Sequence, residues 1–250
     1  MRNRWFIALA AIGLHISIGS VYAWSVLTRP IMADMGFTLS QTTWTFSLAI
    51  LMLGLSAGFL GSFAEKIGPK KSGLLAMLFW VTGLLGTAYA LSIHNLTLLY
   101  LFYGIIGGIG LGIGYITPVS TLVKYFPNRP GFATGLAIMG FGFASLIAGP
   151  LMQYLVAQVG LVDTFIILGV IYLVIMGASS LYLKAPQPKH STRTSKDRST
   201  MYVHTHGMLA NDAMKTWQFG ALWWVFFINI TCGIGLRSVA SRMVQEGIGM

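Results

Sequence analysis

Apolar positions in this chain fall in long unbroken runs, not in alternation and not in a one-sided helical stripe. Seven such runs stand out, at about residues 5–27, 44–64, 72–91, 96–119, 132–156, 164–183 and 217–236. Each reaches the ~20 residues that a helix needs to cross the hydrocarbon core of a bilayer. In that medium every backbone N–H and C=O must be paired within its own segment, so the runs predict helices. A large soluble core would need polar shells between its helices, and the connections here are too short to supply them. The expected fold class is all-α and integral to the membrane.

Composition sharpens the picture. Only 9% of residues are charged and 55% are hydrophobic, and 30 are glycine; a soluble domain carries charge on about a quarter of its residues. Arg2 and Arg4 precede the first run and Val21-Tyr22-Ala23 imitates a leader-cleavage site, but the run is long and six more follow, so an uncleaved first helix is expected. The net charge of +10 is explained by topology. With the N-terminus in the cytoplasm, the inner segments hold Arg2, Arg4, Lys66, Lys70, Lys71, Lys124, Arg129, Lys184, Lys189, Arg193, Lys196, Arg198 and Lys215, while only Arg29, Arg237 and Arg242 remain outside. That bias orients the chain and calls for no nucleic-acid partner. The single cysteine, Cys232, excludes an internal disulfide and a cysteine metal cage.

The connections divide the chain into a six-span bundle (1–184), a basic cytoplasmic linker (185–216) and a seventh span (217–250) that begins something new. His204 and His206 form a pair in the linker with no third ligand in sight, and no metal or cofactor is expected.

The loop between the second and third runs concentrates charge: Gly61-Ser-Phe-Ala-Glu65-Lys66-Ile-Gly68-Pro69-Lys70-Lys71. Gly68-Pro69 predicts a tight reversal, since glycine permits unusual backbone angles and proline pre-sets the φ of a helix start. Lys70 and Lys71 hold the loop in the cytoplasm, and Gly61 lets a neighbouring helix approach closely. Glu65 sits at the membrane edge, where a carboxylate needs a helix N-terminus or a cation such as Lys124 or Arg129.

The spacing Gly61-x-x-x-Glu65-Lys66-x-Gly68-x-Lys70-Lys71 resembles the loop 2–3 signature of the major facilitator superfamily, with Glu and Lys where Asp and Arg are commoner. Asn3-Arg4-Trp5-Phe6, Gly19-x-x-Tyr22-x-Trp24-Ser25, the glycine run 107–115 and Lys124-Tyr125-Phe126-Pro127-Asn128-Arg129-x-Gly131 look like the oxalate/formate antiporter family within it. The resemblance implies a six-helix bundle plus a first helix of a second bundle. It also implies a secondary transporter of small carboxylates such as oxalate, formate or pyruvate, as antiporter or symporter, in the cell membrane. It assigns the 61–71 loop to a conformational switch, and Tyr22, Tyr115 and Phe141 to a central cavity. The family has twelve helices, so a chain that stops after seven reads as a truncated carrier whose anion-neutralising C-terminal half is missing. A non-transporting membrane protein or interaction partner is the competing expectation.

Helical periodicity agrees with the cavity assignment. At 100° per residue His15, Gly19 and Tyr22 share one face of the first helix, with Trp24 opposite. Gly104, Gly108 and Tyr115 share a face of the fourth, and Phe141, Ser145 and Ala148 one of the fifth. Aromatic edges and hydroxyls suit a small planar carboxylate; ordinary packing is the alternative for each ring. His15 is the lone ionisable side chain inside the first six runs, a candidate for substrate contact, or else a neutral histidine bonded to a neighbouring helix. Gly135, Gly142 and Gly149 predict a second ridge for close helix packing. The glycine run is no dinucleotide fingerprint, because it follows no strand. No paired carboxylates or nucleophile–base set appear in the runs, so an enzyme is not expected.

Overall fold

A computed structural model describes residues 3–186 and 210–248. Among these residues the chain is helical, without a strand. The first helix, α1, spans Arg4–Met35. It starts where the Asn3 side chain accepts a hydrogen bond from the Trp5 N–H at 3.0 Å, and it tightens into a 3₁₀ turn at Ser20–Ala23. It ends at Gly36, in the left-handed region at φ 68°.

Helix α2, Leu39–Ile67, opens on a capping box. Thr38 Oγ1 accepts from the Gln41 N–H, and the Gln41 side chain accepts from the Thr38 N–H at 2.8 Å. These two bonds start the helix five residues before the apolar run. Gly68, at φ 82°, makes the whole connection to α3, Pro69–Ser92, whose first residue is the proline. Helix α4, Leu96–Tyr125, is capped by Asn95 and carries a π-wound stretch at Tyr100–Gly107. Residues Pro130–Tyr182 run as one 53-residue helical stretch, far more than one crossing needs, and Gly160 breaks it with φ 83° and ψ 176°. That conformation is open to glycine alone, so the stretch is two crossings, α5 (130–159) and α6 (161–182). The final helix, α7, spans Trp217–Ile248, and its residues Trp217–Leu236 are long and apolar enough to cross a membrane. All seven predicted spans are therefore present as helices.

Helices α1–α6 belong to one compact unit and α7 is described by itself. In α7 the ring of Trp223 stacks on that of Phe227 one turn on, centroids 5.1 Å apart.

Within the bundle, missing side chains set which helices meet. Gly104, Gly108 and Gly112 on α4 face Leu48, Met52 and Ser56 on α2, while Gly83 of α3 lies against the backbone of Gly107. Gly73 on α3 faces Ser180 of α6, and Gly19 on α1 lies so close to the Phe141 carbonyl that a Cβ there would overlap it. Lipid tails are as apolar as leucine, so close backbone approach of this kind is a main source of helix association in membranes. An aromatic core fills the space between α1, α3, α4 and α6: Tyr103 packs against Trp24 at 4.3 Å, Trp80 at 5.6 Å and Phe165 at 6.3 Å between centroids. Trp24 also donates its indole N–H to the Thr42 carbonyl at 3.2 Å, which fixes it as a packing residue.

The second ridge is different from its expectation. A Cβ at Gly135 or Gly142 would meet nothing within 4 Å, and one at Gly149 only Val26 at 3.9 Å. These glycines do not bring helices of the α1–α6 unit together.

Candidate functional site

Three helices place His15, Tyr22, Tyr115 and Phe141 in one cluster. Gly19 lets α5 come against α1, and Gly140 leaves room for His15, whose Cβ would lie 3.4 Å from any Cβ added there. Gly114 does the same for Ile18 on α1. The side chains that these small residues admit are the rings. Phe141 is buried and forms the hub, with Tyr22 at 5.0 Å, Tyr115 at 5.3 Å and His15 at 5.8 Å between centroids. Tyr22 and Tyr115 are half-buried.

His15 is wholly buried and bridges three helices. Its Nδ1 lies 2.6 Å from the Ala137 carbonyl oxygen on α5 and its Nε2 lies 3.0 Å from the Tyr115 carbonyl oxygen on α4. A neutral imidazole has one N–H, so it donates to one of these oxygens. Fixed charge is kept away from the cluster: Asp34, Glu65 and Asp163 are exposed and stand near helix ends. An anion here would meet ring edges and hydroxyls, with no carboxylate of this bundle to repel it.

The residues of the 61–71 loop gather at one end of the bundle. Glu65 accepts from the Lys124 ammonium at 3.4 Å, both side chains about half exposed, as the charge argument anticipated. Gly61 is the place where Ile116 of α4 would lie 2.8 Å from an added Cβ. Lys66, Lys70 and Lys71 are exposed and make no ion pair among the described residues. Beneath the loop, the hydroxyls of Ser72 and Thr117 hydrogen-bond at 2.5 Å, joining α3 to α4. Sequence reading missed that pair, since nothing but the fold matches a serine at a helix start with a threonine far along the chain.

Other polar links close the bundle at both ends. The Tyr125 hydroxyl donates to the Lys184 carbonyl at 3.0 Å, and at the opposite end the Tyr100 hydroxyl donates to the Gln41 carbonyl at 2.9 Å. His204 and His206 lie outside the described residues, and no group of three His, Cys, Asp or Glu side chains comes together among those described.

A bundle of membrane-length helices packed on glycine, with a one-residue glycine turn flanked by charges between α2 and α3, is the build of a polytopic membrane protein. The chain belongs to the Major Facilitator Superfamily, whose sequence description matches residues 6–250. Three relatives show the range. The Uncharacterized MFS-type transporter YhjX of Escherichia coli (strain K12) is 30% identical over 247 residues, 98% of this chain and 59% of the relative. The Oxalate:formate antiporter of Oxalobacter formigenes is 25% identical over 242 residues, 96% of this chain and 55% of the relative. Human Monocarboxylate transporter 14 is 28% identical over 170 residues, 68% of this chain and 33% of the relative. The chain spans little more than half the length of the first two.

Proposed function

We propose that the protein serves a secondary transporter of small carboxylates such as oxalate, formate or pyruvate, working by alternating access around the His15, Tyr22, Tyr115 and Phe141 cluster. On this reading residues 1–184 are the first bundle, 185–216 a cytoplasmic linker and 217–250 the opening of a second bundle, in a cell membrane with the N-terminus in the cytoplasm. The supporting observation is the convergence of three aromatic rings and one imidazole from α1, α4 and α5, all within 6 Å centroid contacts. Carriers of this kind hold their substrate near the midplane and rock two bundles around it. The Glu65–Lys124 pair is read as part of the switch that is made and broken in that motion.

Exchange is the test. Proteoliposomes containing the protein together with a complete second bundle, loaded with unlabelled carboxylate, receive labelled oxalate, formate or pyruvate, with an organic cation of similar size as control. Saturable exchange of a carboxylate alone is the expected result, and equal exchange of the cation overturns the reading. The competing reading is a membrane protein that does not itself transport. Correct insertion with no exchange of any of the three acids is its signature.

A further inference from the structure

The first residues of α1 and the turn between α4 and α5 enclose a cleft of about 320 Å³, at the Glu65–Lys124 end of the bundle and apart from the aromatic cluster. Its lining combines two guanidinium groups, Arg4 and Arg129, with the rings of Trp5, Phe126 and Phe132, and includes no carboxylate. We propose that this cleft binds the headgroup of an anionic phospholipid.

Three observations lead there. The rings form a closed set, each edge-on to the others at 5.6, 6.4 and 5.9 Å between centroids. The Arg4 guanidinium carbon stands 5.9 Å from the Trp5 ring and 5.6 Å from the Phe126 ring, so ring faces hold the cation in place. A guanidinium held this way keeps planar N–H donors for an oxyanion, and neither Arg4 nor Arg129 pairs with a carboxylate among the described residues.

The second consideration is level in the membrane. Trp5 opens the apolar run of α1 and Phe132 that of α5, and both rings are about half exposed, at 54% and 47%. Tryptophan and arginine at the start of a span mark the interface between headgroups and hydrocarbon. A lipid phosphodiester meets both halves of this lining: its charge sits by the two guanidiniums and its glycerol and first methylenes lie on the rings. A free phosphate would use only the charges. The volume, near the lower end of the ~300–1,000 Å³ of small-ligand sites, fits a headgroup and not a whole lipid. Arg4 is eleven residues from His15, roughly 16 Å along a helix at 1.5 Å per residue, so this site is separate from the carboxylate cluster and does not depend on it.

The experiment uses the purified, delipidated chain in detergent. Dioleoyl phosphatidylglycerol, dioleoyl phosphatidylcholine or inorganic phosphate is added, bound lipid is counted by native mass spectrometry, and thermal unfolding is followed in parallel. Expected is saturable retention of phosphatidylglycerol with a raised unfolding temperature, and neither effect from phosphatidylcholine or phosphate. The double variant Arg4→Gln/Arg129→Gln should weaken phosphatidylglycerol retention at least tenfold, while the charge-matched Lys71→Gln/Lys184→Gln should retain it. Arg129→Gln alone, in an exposed turn, should give a smaller loss in the same direction and serves where the double variant fails to fold. Equal retention of both lipids, equal loss in both double variants, or competition by millimolar phosphate overturns the proposal.

Discussion

The imidazole of His15 stacks on the ring of Tyr115, centroids 5.6 Å apart and planes 26° apart, while its Nε2 faces the carbonyl of that same residue at 3.0 Å. One side chain thus ties α1 to α4 through both a ring face and a polar contact, with Ala137 on α5 as the third point. His15→Leu keeps apolar volume but removes both polar contacts. A net intramolecular hydrogen bond contributes ~0.5–1.5 kcal/mol, and a buried acceptor left without its donor costs ~1–3 kcal/mol. The variant should insert normally and lose about 1–3 kcal/mol in reversible unfolding in mixed micelles. An unchanged unfolding curve would show that the three-helix bridge contributes nothing.

Glycine positions should split sharply. A Cβ at Gly83 would lie 2.8 Å from the Gly107 Cα and 2.9 Å from the Phe102 carbonyl oxygen, both backbone atoms that cannot swing aside. Gly83→Val should therefore part α3 from α4 at a cost of ~1–3 kcal/mol or more. A Cβ at Gly54 would meet nothing within 4 Å. Gly54→Ala should be neutral or gain up to ~1 kcal/mol, because alanine is the better helix former. Comparable losses in the two variants, read as unfolding midpoints, would refute the packing argument.

Much of this was legible in the sequence, and the reasons differ by element. The span positions follow from apolar runs, and the one-residue turn from Gly68-Pro69, because both are local properties. Glu65 announced its need of a cation by standing at a membrane edge, and Lys124 supplies it. The ring cluster was readable because the 3.6-residue period puts His15, Gly19 and Tyr22 on one face and glycine marks where a neighbour arrives. The Thr38-x-x-Gln41 box was equally local and should have moved the start of α2 back to Leu39. What periodicity cannot give is the partner of a face. Gly135 and Gly142 form a ridge on paper yet meet no helix of the α1–α6 unit, and Trp5 meets Phe126 and Phe132 only because α1 and α5 begin at the same end.

Topology can be read with single cysteines. The native Cys232 is exposed and must first become serine. In that background Asn128→Cys, in the exposed turn before α5, should react with an impermeant maleimide only from the cytoplasmic face. His94→Cys, in the exposed turn after α3, should react only from the opposite face. Labelling of both from one side would contradict a membrane crossing by α4, which separates the two positions, and the reversed pattern would overturn the orientation drawn from the basic residues.

Glu65→Gln separates stability from switching. The Glu65–Lys124 pair is about half exposed on both sides, and such pairs contribute only ~0–1 kcal/mol. Unfolding should accordingly move by less than about 1 kcal/mol, whereas the initial rate of carboxylate exchange should fall, since one conformation loses its charge partner. Undiminished exchange by the variant would leave the loop as a topological anchor and nothing more.

The carboxylate reading itself rests on two hydroxyls. Tyr22 and Tyr115 flank the buried Phe141 at 5.0 and 5.3 Å, and they are the half-buried members of the cluster. A hydrogen bond to a charged ligand is worth ~1.5–3 kcal/mol, which corresponds to roughly ten- to a hundredfold in affinity. Tyr22→Phe and Tyr115→Phe each remove one hydroxyl and keep the ring, so the edge contacts with Phe141 survive. Each should weaken half-saturation of carboxylate exchange on that scale. Phe141→Leu should act differently, because the hub is buried and its ring is shared by three partners: a loss of stability of about 1–2 kcal/mol accompanies any loss of binding. Unchanged half-saturation in both phenylalanine variants would remove the hydroxyls from the substrate path, and with them the reason for placing the site at this cluster.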